Sequence, residues 1–140
     1  MFAVFIYGCS HNAGAGTGTQ EMTEAEEQQQ PSPETAKTVT IEITSSGFQP
    51  ASITINAGDT VNFINKDSRG HWPASDVHPT HTRYPGSSIG KCGTDEATDI
   101  FDACKSLAMD ETYSFTFIET GSWGYHDHLI PSLRGMIEVV

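Results

Sequence analysis

The chain has 140 residues, 36% of them hydrophobic, and its 18 acidic against 7 basic side chains give a formal charge of −11. That length holds one ordinary domain with its own core and excludes two. The negative balance excludes nucleic acid as a partner, because a phosphate backbone meets a repelling field, and there is no run of about 20 apolar residues to span a membrane as a helix.

Residues 1–9, MFAVFIYGC, form a short apolar run. Within it Ile6-Tyr7-Gly8-Cys9 resembles a bacterial lipoprotein signal, in which a cysteine after a small residue becomes lipid-modified. The run is shorter than a full signal peptide and has no Lys or Arg before it, so it reads as a truncated signal segment. The expectation is export, with a lipid on Cys9 as membrane anchor at the cell surface or in the periplasm. The alternative is a frayed apolar end with an incidental cysteine. With Cys9 set aside, Cys92 and Cys104 form one even pair, as an oxidising compartment favours.

Residues 10–37 are rich in Gly, Thr, Gln, Glu and Pro and carry almost no large apolar side chains. Such a stretch cannot bury enough surface to offset the entropy of ordering, and it reads as a disordered linker holding a domain away from a membrane.

At Thr38 the pattern changes to period two. Val39, Ile41 and Ile43 alternate with polar residues, then Ile53 and Ile55, Val61 and Phe63, Tyr113, Phe115 and Phe117, Trp123 and Tyr125, and finally Ile137 and Val139. Short alternating strands between Gly, Pro, Asn and Asp turns predict an all-β, antiparallel sandwich or barrel over residues 38–140.

Between Asn65 and Tyr113 the alternation stops. Thr94 as a cap, with Ile100, Cys104 and Leu107 at helical spacing, predicts one short helix there and no clear strand. Loops of this length are usually functional or stapled. A Cys92–Cys104 bridge would contribute about 3 kcal/mol by restricting the unfolded chain. The other reading of the two cysteines, a thiolate metal site, lacks the close CxxC-type spacing.

Five histidines flank this loop: His71, His78 and His81 in HWPASDVHPTH, and His126 and His128 in HDH. His11 lies in the linker and is set aside. On a strand, residues i and i+2 point to one face about 7 Å apart, close enough for two imidazoles to converge on one ion. An isolated HxH is more often a solvent-facing pair; three further histidines in one preceding loop favour a metal site. Imidazole suits Cu, Zn, Fe and Ni alike, so spacing does not name the metal. Asp127 points to the opposite face, where it can orient a ligand or pair with Arg134 or Arg69. Trp72, Trp123 and Tyr125 are candidates to shield the cluster, or are core residues.

The stretch GFQPASITINAGDTVNFINKDSRGHWPASD resembles the first half of cupredoxin-like domains, and GSWGYHDHLIPSLRGMIEVV their closing hairpin, with Gly121, Tyr125, Gly135 and Ile137 as framework. The likeness is greatest to bacterial EfeO-type cupredoxin-like domains. It implies a Greek-key β-sandwich, interrupted here by the one long, disulfide-stapled loop containing a short helix, and it puts His71 at the first histidine ligand. The Cys, His and Met ligands of blue-copper sites would fall at Asp127, Ile130 and Leu133. None of these supplies a thiolate, so blue-copper electron transfer is not implied. Tyr125-His126-Asp127-His128-Leu129 also resembles a multicopper oxidase motif, in which such histidines hold copper between domains. With one domain here, a full trinuclear cluster could form only between subunits.

The resulting expectation is a metal-binding protein with a nitrogen-rich, type 2-like copper site drawn from His71, His78, His81, His126 and His128. Its role would be metal binding or delivery, with no identifiable protein partner. Zinc fits the same ligands, and the resemblance alone favours copper. Two other classes stay open: a small copper oxidoreductase, and a metal-free cupredoxin-like interaction module.

Overall fold

The computed structural model describes residues 35–140. The signal-like segment with Cys9, His11, and the linker before residue 35 lie outside them. Eight strands follow in chain order: β1 Thr38–Thr44, β2 Gly47–Gln49, β3 Ser52–Ile55, β4 Thr60–Asn65, β5 Pro73–Ser75, β6 Thr112–Thr116, β7 Gly121–Asp127 and β8 Arg134–Val139. They make two four-stranded sheets, in the orders β2-β1-β4-β6 and β3-β8-β7-β5, packed as a sandwich. Among the described residues no helix is long and apolar enough to cross a membrane.

The sheets are mixed. β1 runs parallel to β4, with Thr38 opposite Thr60 and Ile43 opposite Asn65, and β3 runs parallel to β8. The expected antiparallel pairing holds for the other strand pairs. Period-two alternation reports which face is buried and is silent on a neighbour's direction. Here the chain leaves the first sheet after β2, builds β3 in the second, and returns as β4 alongside β1 in the same sense.

The alternating residues meet between the sheets. Ile41, Ile43, Val61, Phe63, Phe115, Phe117, Tyr125, Ile137 and Val139 are all buried, each apolar side chain contributing about 1.5–3 kcal/mol. Tyr125 lies edge-on to Phe48 at 4.7 Å and to Phe63 at 5.4 Å between ring centroids. Its ring passes directly over Gly135, where a Cβ would sit 2.2 Å from Tyr125 Cζ and 2.4 Å from the Ala51 carbonyl oxygen. No side chain fits at Gly135 without moving backbone.

The long connection between β4 and β6 differs from its expected form in two respects. It contains a strand, β5, whose three residues are all buried. The expected helix is reduced to 3-10 turns at Ile89–Lys91 and Asp95–Thr98. Thr94 does cap the second, its side chain accepting from Glu96 N. Ile100, Cys104 and Leu107 are not on a helix: Cys104 has a left-handed φ of 55°, and Leu107 bridges to His71 in extended pairing. Their spacing reflects burial of separate loop residues. Tyr84, Phe101 and Leu107 join the sandwich core, with Phe101 4.8 Å from Phe117 and 5.7 Å from Phe63.

Cys92 and Cys104 form a disulfide across 12 residues. Both sulfurs are in the bond, so the thiolate-site reading of this pair does not hold for the protein in this state.

Candidate metal centre

β5 is what brings the two histidine clusters together. It pairs antiparallel with β7, placing Pro73 opposite Asp127 and Ala74 opposite His126. The pairing extends outward on both sides, with Asp76 N donating to Gly124 O at 2.9 Å and His128 N to Trp72 O at 2.7 Å. The turn after β5 then folds over the face that carries His126, on β7, and His128, just past its end. His81 N donates to Val77 O at 2.8 Å, closing the turn. His81 takes a left-handed φ of 58°, a conformation that costs a non-glycine residue on the order of 1 kcal/mol and is concentrated at functional sites.

Four imidazoles converge. His78, His81, His126 and His128 each offer a ring nitrogen, and these atoms all lie within 4.8 Å of one another. His81 and His126 are fully buried. His81 Nδ1 is 2.5 Å from Asp102 Oδ2, and His126 Nδ1 is 2.9 Å from Asp76 Oδ1. With Nδ1 occupied, each ring directs Nε2 into the cluster, the carboxylate-histidine arrangement that fixes the tautomer and orientation of metal ligands. His128 Nδ1 lies 3.0 Å from His81 Nε2, and its ring packs on Trp72 at 4.5 Å. His78 is exposed, with its ring centroid 5.0 Å from that of His128 and 5.4 Å from that of His126.

The donor set fits a metal ion. Nitrogen ligands about 2.0–2.1 Å from an ion are at most about 4.2 Å apart. Atoms within 4.8 Å therefore need only a small inward rotation of the rings. His126 Nε2 is also buried without a hydrogen-bond partner, which costs about 1–3 kcal/mol unless something binds it.

Burial holds His126 and His128 below the ordinary imidazole value of 6.5, and the neighbouring charges of His81 and His78 push the same way. For His126 the Asp76 carboxylate acts in the opposite sense without cancelling the effect. Burial of Asp102 works against ionisation, but hydrogen bonds from His81, Trp72 Nε1 and Cys104 N outweigh it and keep the carboxyl below its usual range. Neutral imidazoles backed by ionised carboxylates are the protonation states a cation requires.

His71 stands apart from the other four predicted ligands. It is fully buried, with Nδ1 2.6 Å from Asp127 Oδ2 and Nε2 3.1 Å from Asp67 Oδ2, so both its nitrogens are taken by carboxylates. The reason is Asp127, which points inward from β7 as the alternation predicts. It meets neither Arg134 nor Arg69: its other oxygen accepts from Trp72 N and Leu129 N, while Arg134 lies 3.4 Å from Asp76 and Arg69 pairs with Asp67. The hydrogen bond from His71, reinforced by Arg69 against a burial effect, pulls Asp67 down to about 2. Of the three aromatic candidates only Trp72 shields the cluster; Tyr125 is core and Trp123 packs on Tyr84 at 5.3 Å.

Sequence reasoning missed Asp76 and Asp102, the two carboxylates that orient the centre. Asp76 sits inside the first histidine cluster and Asp102 two residues before a cysteine, but no spacing rule links them to His126 and His81, which are 50 and 21 residues away.

No protein-family model matches the sequence, and no curated protein matches it. Solved structures do match. The chain is similar to a novel purple cupredoxin from Nitrosopumilus maritimus at 21% identity and a TM-score of 0.55, over 73% of this chain and 99% of that one. The chain has a cupredoxin fold. An oxidized mutant of amicyanin aligns at 21% identity and a TM-score of 0.54, over 73% of this chain and 81% of that one. A Cu-containing nitrite reductase from Thermus scotoductus SA-01 gives 23% and 0.54 over 73% of this chain, which spans 22% of that longer protein. Within this cupredoxin fold, the four-histidine cluster lies on the outward face of β7, and the His71–Asp127 pair on its inward face.

Proposed function

We propose that this chain is an exported, membrane-anchored protein that binds one copper ion through His78, His81, His126 and His128, for metal binding and delivery and not for blue-copper electron transfer. The observation that carries the reading is the buried, unpartnered Nε2 of His126 among three other imidazoles. The all-imidazole donor set accepts copper, and the preference for it rests on a fold found in a Cu-containing nitrite reductase. Zinc accepts the same ligands. Among the described residues no cysteine thiolate stands at the cluster, which argues against blue-copper chemistry.

In this reading residues 1–9 are a signal segment with Cys9 lipid-modified, 10–37 a tether, and 38–140 the metal-binding domain, nearest in kind to EfeO-type domains. The disulfide supports an oxidising compartment. A second reading, a small copper oxidoreductase, draws on one observation: His78 is exposed and leaves the centre approachable from solvent.

Copper titration of the chain tests the proposal. The expected result is one Cu(II) per chain, lost when His126→Ala and His128→Ala are combined. Stoichiometric binding by that double variant overturns the assignment. A metal-free interaction module predicts no change in melting temperature on adding Cu(II) or Zn(II), whereas a ligand that binds only the native state raises it. Elemental analysis of protein from its native compartment decides between the two metals, and mass spectrometry of its N-terminus decides the lipid.

A further inference from the structure

We infer that His78 is an exchangeable ligand over a fixed three-histidine base, and that the centre accepts one small monodentate anion from solution in its place. The inference rests on the metal-site reading above. Its basis is an asymmetry among the four rings. Asp102 holds His81 at 2.5 Å and Asp76 holds His126 at 2.9 Å. His128 is held by Trp72 twice, through the 4.5 Å ring contact and through its own backbone N–H on Trp72 O. Among the described residues, no hydrogen bond holds the His78 ring, and it is the exposed member of the set.

The backbone under His78 is held by hydrogen bonds that its ring lacks. The turn is closed by the bond from His81 N to Val77 O, with Thr80 Oγ1 donating to the same oxygen at 3.3 Å. His78 lies within that turn, between Val77 and His81, and is exposed, so a change of side-chain rotamer is the motion that would release its ring. Sites with three protein ligands and one open position are those that take water or substrate.

The charge of the centre selects the incoming group. All four ligand rings are imidazoles, and the Asp102 and Asp76 carboxylates act only from behind His81 and His126, so a divalent ion would carry its charge with no anion bound directly to it. An anionic donor lowers that charge, which a poorly solvated site favours. In the exchange, the bond from His78 nitrogen to the ion breaks and one from the anion forms, and no electron moves.

Azide titration of the copper-loaded chain, followed by its absorption band and by electron paramagnetic resonance, tests this. The expected result is saturable binding of one azide per bound copper, with an affinity at least tenfold tighter in His78→Ala than in the unaltered chain. Equal azide affinity in the two proteins, or copper retained with no azide binding in either, overturns the inference and leaves the metal site standing. Loss of copper from His78→Ala shows that the ring is an obligatory ligand and overturns it as well. A chain that takes up no copper at all overturns the metal-site reading itself, and this inference with it.

Discussion

His71 Nδ1 lies 2.6 Å from Asp127 Oδ2, and both residues are fully buried. Here the carboxylate reaches the ring directly, and a second carboxylate, Asp67, takes the far nitrogen. The pair is a structural bolt on the inward side of β7.

We therefore expect His71 and Asp127 to act on stability and not on metal stoichiometry. Asp127→Ala leaves His71 Nδ1, Trp72 N and Leu129 N without their acceptor, and the fully buried His71 nitrogen alone costs about 1–3 kcal/mol. Urea unfolding should show a loss of at least that size. His71→Ala should still bind one copper per chain; its failure to do so while folded would return His71 to the ligand set.

Gly124 offers a probe of the carboxylate behind His126. A Cβ at this position would lie 2.5 Å from Asp76 Oδ2, so Gly124→Ala displaces the group that orients the ring. Loss of such a partner weakens metal binding by about 10–100-fold. Calorimetric titration of the folded variant should show that loss, and urea unfolding reports separately what the crowding costs in stability. Unchanged affinity would mean that Asp76 does not position His126.

The histidine shifts set a pH dependence. Folded His126 and His128 hold their protons less tightly than at the ordinary value of 6.5, so below that pH the unfolded chain binds more protons than the folded one. The metal-free protein is then at full strength above 6.5 and loses stability as pH falls toward the folded values. Asp67, held at about 2, and the ionised Asp102 respond only at lower pH, so the two regimes separate. Thermal melts from about pH 7.5 to about pH 5 should show the decline, and the His126→Ala, His128→Ala double variant should show a shallower one.

The disulfide supports the centre as well as the loop. Cys104 N donates to Asp102 Oδ1 at 2.8 Å, and the other oxygen of Asp102 holds His81. Replacing both cysteines by serine should cost about 3 kcal/mol through the unfolded chain and should also weaken metal binding. Calorimetric titration at a temperature where the variant is folded separates the two effects; full metal affinity there would confine the bridge to stability.

The strands were legible because alternation follows directly from burial of one face: Ile41, Ile43, Val61, Phe63 and Phe115 lie where the pattern put them. β5 was not, since Pro73-Ala74-Ser75 has no alternation to read, with all three residues buried. Ile100 and Leu107 imitated a helix because two core contacts happened to fall seven residues apart. At the centre, His126 and His128 were visible as a spacing, and His78 and His81 as their neighbours in composition. His71 was included because its place in the chain suits a ligand, and only the positions of Asp67 and Asp127 reveal that its nitrogens are spoken for. Asp76 and Asp102 depend on long-range contacts that no local pattern encodes.

The alternation along β7 makes one strand serve two chemistries. Tyr125 and Asp127 face inward, to the aromatic core and to His71, while His126 and His128 face the loop. A slip of one residue in the pairing with β5 would turn every side chain over, driving two imidazoles among the phenylalanines and a phenol into the histidine cluster. Such a misassembled sheet is heavily penalised from both faces at once, so the residues that would hold an ion also proofread the strand that presents them.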